Sequence, residues 1–191
     1  YNEIKSKLYT HQYESLKTAI LDRKNLIVTT GTGSGKTVLL PKFVLHTFDY
    51  KGHIAITLPK QLIAKSAAEF AAKTLDVKLG DFVGYNFRGA PENMSSDNVR
   101  LLYSTDGLLL SQLLKDKLLS AFDCVIIDEA HERQVPIDLL LYFLFASILS
   151  SSYSAYDSTH NIVLPVPVHV VSFLIIIIYY LLMAQQLSAG V

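Results

Sequence analysis

Lys36 and Thr37 close a glycine-rich run, Thr30-Gly31-Thr32-Gly33-Ser34-Gly35, and far along the chain Asp128 and Glu129 stand side by side. Glycines let successive backbone N–H groups turn inward around an anion without Cβ clashes, and a lysine after them can reach the β- and γ-phosphates of a nucleotide. Thr32, Gly33, Ser34, Gly35, Lys36 and Thr37 are therefore the expected nucleotide-binding positions. The Thr37 hydroxyl suits Mg²⁺, a hard cation that takes oxygen ligands. Asp128 would hold the same ion, and Glu129 would orient and deprotonate an attacking water. In-line phosphoryl transfer needs mainly positioning and charge neutralisation, which such groups supply. Glu129, Asp128 and Lys36 are thus the expected catalytic residues, with ATP and Mg²⁺ as cofactors. One departure is Thr30, where the usual loop begins with Gly or Ala.

Elements must position these groups. Residues 26–30 are an apolar, β-branched run that reads as a buried strand, and Val38-Leu39-Leu40 opens a helical pattern. Strand, glycine loop and helix are the context a phosphate-binding loop requires, and the helix N-terminus adds its dipole. Residues 122–127 form a second buried-strand run that ends at Asp128. Ligands of open α/β sheets bind at the carboxyl ends of strands, so both motifs face one edge.

The rest alternates. Helices are expected over 3–21, 36–48, 60–74, 108–119 and 139–149, and strands over 53–59, 82–87 and 99–105. Pro41 would kink the second helix or lie in its early turn. Gln12 reads as a surface helix residue, and Cys124 as a small buried hydrophobe. Strands alternating with helices imply a parallel sheet covered on both faces.

Several segments then resemble, in order, the motifs of DEAH-box helicases of superfamily 2. Val125-Ile126-Ile127-Asp128-Glu129-Ala130-His131-Glu132-Arg133 resembles motif II, and Thr57-Leu58-Pro59-Lys60-Gln61 resembles motif Ia. Residues 77–85 resemble the L-G-x-x-V-G-Y segment, and Tyr103-Ser104-Thr105-Asp106-Gly107-Leu108-Leu109 resembles motif Ib, T-D-G. The resemblance covers roughly residues 10–145. It implies an N-terminal RecA-like lobe: an α/β P-loop NTPase with a parallel β-sheet flanked by helices, incomplete at the C-terminus. It also implies ATP hydrolysis coupled to translocation on, or remodelling of, single-stranded or duplex RNA. By resemblance, RNA contacts fall on Thr57, Lys60 and Thr105, with Arg88 a looser candidate, and His131 couples the ATP site to a second RecA-like lobe. Lys60-Gln61 replaces the usual arginine pair of motif Ia, exchanging a planar fork for a point charge. Phe70 stands where the family carries an arginine, and could stack on a base or belong to the core. Without the second lobe, the chain is expected to bind and hydrolyse ATP weakly and not to unwind. Two other readings stay open: a non-catalytic nucleotide- or nucleic-acid-binding fragment, and a DNA-directed superfamily 2 ATPase.

With 17 basic and 17 acidic residues the formal charge is zero, so any nucleic-acid contact must be local rather than driven by a global field. One cysteine excludes a disulfide framework and fits an intracellular compartment, nucleus or cytoplasm. The chain opens on Tyr1 and reads as a cut edge. The lobe is expected over 1–148, with 149–191 an atypical tail in which 162–184 carries no Asp, Glu, Lys or Arg. Three readings of the tail compete: an artefact such as a retained intron, a membrane anchor, and a buried strand or helix completing the sheet. Membrane association is not the expected one.

Overall fold

The structure, a computed structural model, describes residues 10–28, 35–116, 119–154 and 173–176. Its centre is a six-stranded sheet in which every pairing is parallel. The strands are β1 (Leu26–Ile27), β2 (Ile54–Leu58), β3 (Val83–Asn86), β4 (Leu101–Thr105), β5 (Cys124–Ile127) and β6 (Phe173–Ile176). They lie side by side in the order β1-β6-β5-β2-β4-β3. Helices α1 (Thr10–Leu21), α2 (Lys36–Thr47), α3 (Gln61–Leu75), α4 (Asp106–Lys115) and α5 (Val135–Ser154) connect and cover it.

Parallel strands need crossovers, and helices on both faces leave each central strand without a solvated side. That is why β2 and β5 are buried at every position and, Thr57 apart, apolar. Period-two alternation then sorts their side chains. Cys124 and Ile126 pack with Ile54, Ile56, Leu101 and Tyr103 against α1, α2 and α3. Val125 and Ile127 pack with Ala55 on the other face, against Leu109 and Leu113 of α4 and Ile137, Leu140 and Leu144 of α5. Cys124 is a free, fully buried thiol, as its place in an apolar strand implies. Helix α3 turns a stripe of small residues inward, Ala64, Ala67, Ala68, Ala71 and Ala72, which lets it approach the sheet closely. A buried Lys42 on α2 donates from Nζ to Thr74 Oγ1 on α3 at 2.7 Å and ties these two helices together.

Element ends move relative to the sequence reading, for local reasons. Helix α4 begins at Asp106 rather than 108, with an acidic residue in its first turn where the helix dipole favours one. Helix α5 begins at Val135 rather than 139, because Pro136 fits an early helical turn instead of preventing the helix. Pro41 lies inside α2, past its first turn. Positions 3–9 of the first expected helix, Thr30–Ser34 of the glycine loop and the side chain of Gln12 lie outside the described residues.

Phe173–Ile176, from the apolar tail, is a strand of the sheet. It lies between β5 and β1, with Ile126 and Leu26 both in register with Ile175. Among the described residues, β6 is the strand that joins β1 to the rest of the sheet. No helix among the described residues is long and apolar enough to cross a membrane.

Candidate active site

The carboxyl edge of the sheet gathers the chemistry. Helix α2 starts at Lys36, directly after Gly35, whose φ of 77° places it in the left-handed region. That backbone conformation favours glycine, and a Cβ would also have to displace Leu39 Cδ1, 2.8 Å away. The left-handed turn directs the chain into α2, whose first N–H groups have no intrahelical acceptor and whose dipole favours an anion. Lys36 and Thr37 occupy this first turn, both half-buried.

Asp128 follows β5 and is fully buried. Thr37 Oγ1 donates to Asp128 Oδ2 at 2.6 Å, bridging 91 residues of sequence. Asp128 Oδ1 accepts from the Glu129 backbone N–H at 2.8 Å. Neutral hydroxyl and carboxylate oxygens in contact are the donor set a hard cation prefers, so these residues fit Mg²⁺. Thr37 and Asp128 would hold the ion, and when bound it would neutralise phosphate charge.

Motif II then turns sharply. Glu129 has φ 52° and Arg133 φ 51°, left-handed values uncommon for side-chain-bearing residues, and they bracket a short 3₁₀ turn, Ala130–Glu132. Two local contacts hold the turn. Arg133 Nε and Nη2 donate to Asp138 Oδ1 and Oδ2 at 2.7 and 2.9 Å, a bidentate fork onto the first turn of α5. This pairing holds the Asp138 carboxyl below its ordinary range. Gln134 Nε2 donates to Glu132 Oε2 at 2.8 Å. The Glu129 carboxylate is left partly exposed, with His131 Nδ1 at 3.3 Å from its Oε2. The left-handed Glu129 thus follows Asp128 directly and carries a partly exposed carboxylate, and residues in such backbone cluster at functional sites.

The expected RNA-contacting residues share this edge, because Leu58 of β2 and Thr105 of β4 are register partners at their strand ends. Lys60 and Arg88 are exposed and Thr105 is half-buried. Thr57 is fully buried, which leaves the other three with surface to offer. Phe70 is 56% exposed on α3, so it is not a core residue.

Two groups at this edge were not singled out from sequence. Tyr103 of β4, fully buried, donates its hydroxyl to the Thr37 carbonyl at 3.2 Å. Asp106, the first residue of α4, is 2% exposed, and neither its carboxylate oxygens nor Thr57 Oγ1 has a hydrogen-bond partner among the described residues. Burial raises the Asp106 pKa to about 6; the nearby Thr57 hydroxyl works against the rise without reaching hydrogen-bond geometry, and the charges of Glu132 and Asp128 add to it.

This has a stability consequence. The folded chain holds the Asp106 proton more tightly than an unfolded one, so the cost of the charge is absent below pH 3.8, grows between 3.8 and about 6, and is complete above. Asp106→Asn is therefore expected to stabilise the fold by about 2 kcal/mol at neutral pH and by little near pH 4. Urea unfolding of both chains at the two pH values checks it; an equal difference at both would show that ionisation is not the cause.

The parallel sheet, the glycine turn feeding α2 and the Thr37–Asp128 contact define a RecA-like P-loop NTPase lobe. The chain belongs to the DEAD/DEAH box helicase family, whose model matches residues 9–136. It is 50% identical over 119 residues to a protein of Acanthamoeba polyphaga mimivirus provisionally named ATP-dependent RNA helicase L540, covering 62% of this chain and 17% of that one. It is 41% identical over 142 residues to the ATP-dependent RNA helicase HrpA of Borreliella burgdorferi, covering 73% of this chain and 17% of that one. The crystal structure of the Escherichia coli DEAH/RHA helicase HrpB superposes with a TM-score of 0.70 at 28% identity, covering 91% of this chain and 20% of that one. The chain thus spans about a fifth of the length of the relatives it matches.

Proposed function

We propose that this chain is the ATP-binding lobe of a DEAH-type RNA helicase, which couples Mg²⁺-ATP hydrolysis to translocation on RNA or its remodelling. The observation that carries this reading is the Thr37–Asp128 contact at 2.6 Å, with Glu129 beside it at the end of β5. Thr32, Gly33, Ser34 and Gly35 would wrap the phosphates with Lys36, and Glu129 would align and deprotonate water. Lys60, Arg88 and Thr105 would touch the RNA backbone, where the near-zero net charge requires a local grip. His131, 3.3 Å from the Glu129 carboxylate, would relay the state of the site to a second lobe. That lobe would bring arginines to the γ-phosphate, a contribution of about 10³–10⁵ in rate. The single buried thiol suits the reducing nucleus or cytoplasm.

The test is ADP binding by calorimetry with and without Mg²⁺, followed by ATP turnover with added RNA or single-stranded DNA. Mg²⁺ should tighten ADP binding about tenfold or more, the worth of one charge-assisted contact. Indifference to Mg²⁺ would sink the site assignment. Stimulation by DNA and not RNA would favour the DNA-directed alternative, and efficient duplex unwinding by this chain would overturn the need for a second lobe.

We also infer that the lobe extends through Ile176, supported by the pairing of β6 with both β5 and β1. Removing residues 155–191 would leave β1, the strand that feeds the glycine loop, without its neighbour. The shortened chain is expected to melt about 5 °C or more lower, the equivalent of about 2 kcal/mol, and to lose Mg²⁺-ADP affinity. Unchanged melting and affinity would return the tail to the status of a foreign appendage.

A further inference from the structure

An α-helix satisfies each carbonyl with the N–H four residues on, and proline has none to give. Pro41 lies inside α2, so the carbonyl it deprives is that of Thr37, the residue whose side chain holds Asp128. The structure supplies a replacement from another element. Tyr103 Oη donates to the Thr37 carbonyl at 3.2 Å from β4. We propose that Tyr103 is a positioning residue for the nucleotide site: its hydroxyl takes the hydrogen bond that Pro41 withholds, and so fixes the helical turn that presents Thr37 Oγ1 to Mg²⁺. This rests on the reading of Thr37 and Asp128 as the metal-binding pair.

Three further observations bear on the role. The contacts form a closed chain across three elements, from Tyr103 on β4 to the backbone of Thr37 on α2, and from the Thr37 side chain to Asp128 after β5. Thr37 is therefore held at both its carbonyl and its hydroxyl, which leaves its χ1 little freedom. Tyr103 is fully buried, so its hydroxyl meets the Thr37 carbonyl inside the fold rather than at the surface. Burial and the Asp128 charge both push the phenol pKa up, so Tyr103 remains a donor across the physiological range. An apolar residue would fill the same core position, alongside Ile56 and Ile126, as well as a tyrosine does. The hydroxyl is what core packing leaves unexplained.

Tyr103→Phe removes that hydroxyl and keeps the ring. The experiment measures ADP affinity with and without Mg²⁺ for the wild-type chain, Tyr103→Phe, Pro41→Ala and the double variant. Tyr103→Phe is expected to lower Mg²⁺-ADP affinity about tenfold, the scale of one unpaired buried carbonyl, and to leave Mg²⁺-free affinity within about twofold. Pro41→Ala returns an N–H in reach of the Thr37 carbonyl, so in that background the tyrosine change should cost less than about twofold. An equal loss in both backgrounds would assign Tyr103 to packing and overturn the proposal, as would no loss in either. Should Tyr103→Phe fail to fold, recovery of folding and Mg²⁺-dependent binding in the double variant supports the pairing, and continued misfolding overturns it. A wild-type chain that binds ADP without regard to Mg²⁺, or not at all, overturns the metal-site reading itself and this role with it. That outcome is distinct from a Mg²⁺-dependent wild type that tolerates Tyr103→Phe.

Discussion

Lys36→Ala is expected to weaken Mg²⁺-ATP binding by this chain about 100-fold, the largest effect on affinity of any single side chain in the lobe. A charge-assisted hydrogen bond to phosphate contributes about 1.5–3 kcal/mol, and the upper end of that range is a factor of about 100. The upper end applies because the position is preorganised. Lys36 is half-buried in the first turn of α2, fixed by the left-handed Gly35 and close to the N–H groups that would share the same phosphates. Lys36→Arg keeps the charge but swaps a compact ammonium for a wide planar fork, and should recover only part of the loss. Calorimetric titration of ATP in Mg²⁺ into the three chains measures this. Equal affinities would mean that nucleotide, if bound, lies elsewhere, and the Thr37–Asp128 contact would then be only a structural tie between α2 and β5.

The candidate nucleotide site was legible in the sequence as two motifs, because the parts of each are local. A glycine run between a strand and a helix, and two carboxylates after an apolar strand, are each contained in under ten residues, and the rule that ligands meet the carboxyl edge of an open sheet joins them. What spans the fold was less legible. That Thr37 and Asp128 touch depends on β5 lying one strand away from β1, with β6 between them. The apolar run that supplies β6 admits a membrane, artefact or strand reading, because continuous hydrophobicity carries no period. Only its neighbours decide, and β5 and β1 each expose a row of backbone groups that a strand satisfies. The role of Tyr103 is not written in its own strand, although Pro41 is a signal: a proline past the first helical turn orphans a carbonyl, and the orphan is Thr37. Asp106 was visible only as a letter of a motif. Its burial beside Glu132 and Asp128 follows from β4 and β5 ending at one edge on either side of β2.

Glu129→Gln separates turnover from binding. The two side chains have the same shape, and both tolerate a φ of 52° equally, so the turn Ala130–Glu132 and the Arg133–Asp138 fork should persist. What is lost is a carboxylate able to accept a proton from water. General-base catalysis contributes about 10²–10⁴ in rate, so hydrolysis should fall about 100-fold or more from whatever rate the wild-type chain sustains. Affinity for Mg²⁺-ATP should stay within about threefold, since Thr37, Asp128 and Lys36 are untouched and the Asp128 Oδ1 bond comes from the residue 129 backbone, which glutamine keeps. His131 adds a check. Its ring nitrogen is 3.3 Å from the Glu129 carboxylate, a contact that an amide weakens, so a variant at residue 131 should have less effect in the Glu129→Gln background than in the wild type. Turnover measured under single-turnover conditions, beside calorimetric affinity, reads both quantities on the same samples. Equal hydrolysis by wild type and variant would leave Glu129 without a catalytic task and favour a lobe that binds nucleotide without using it.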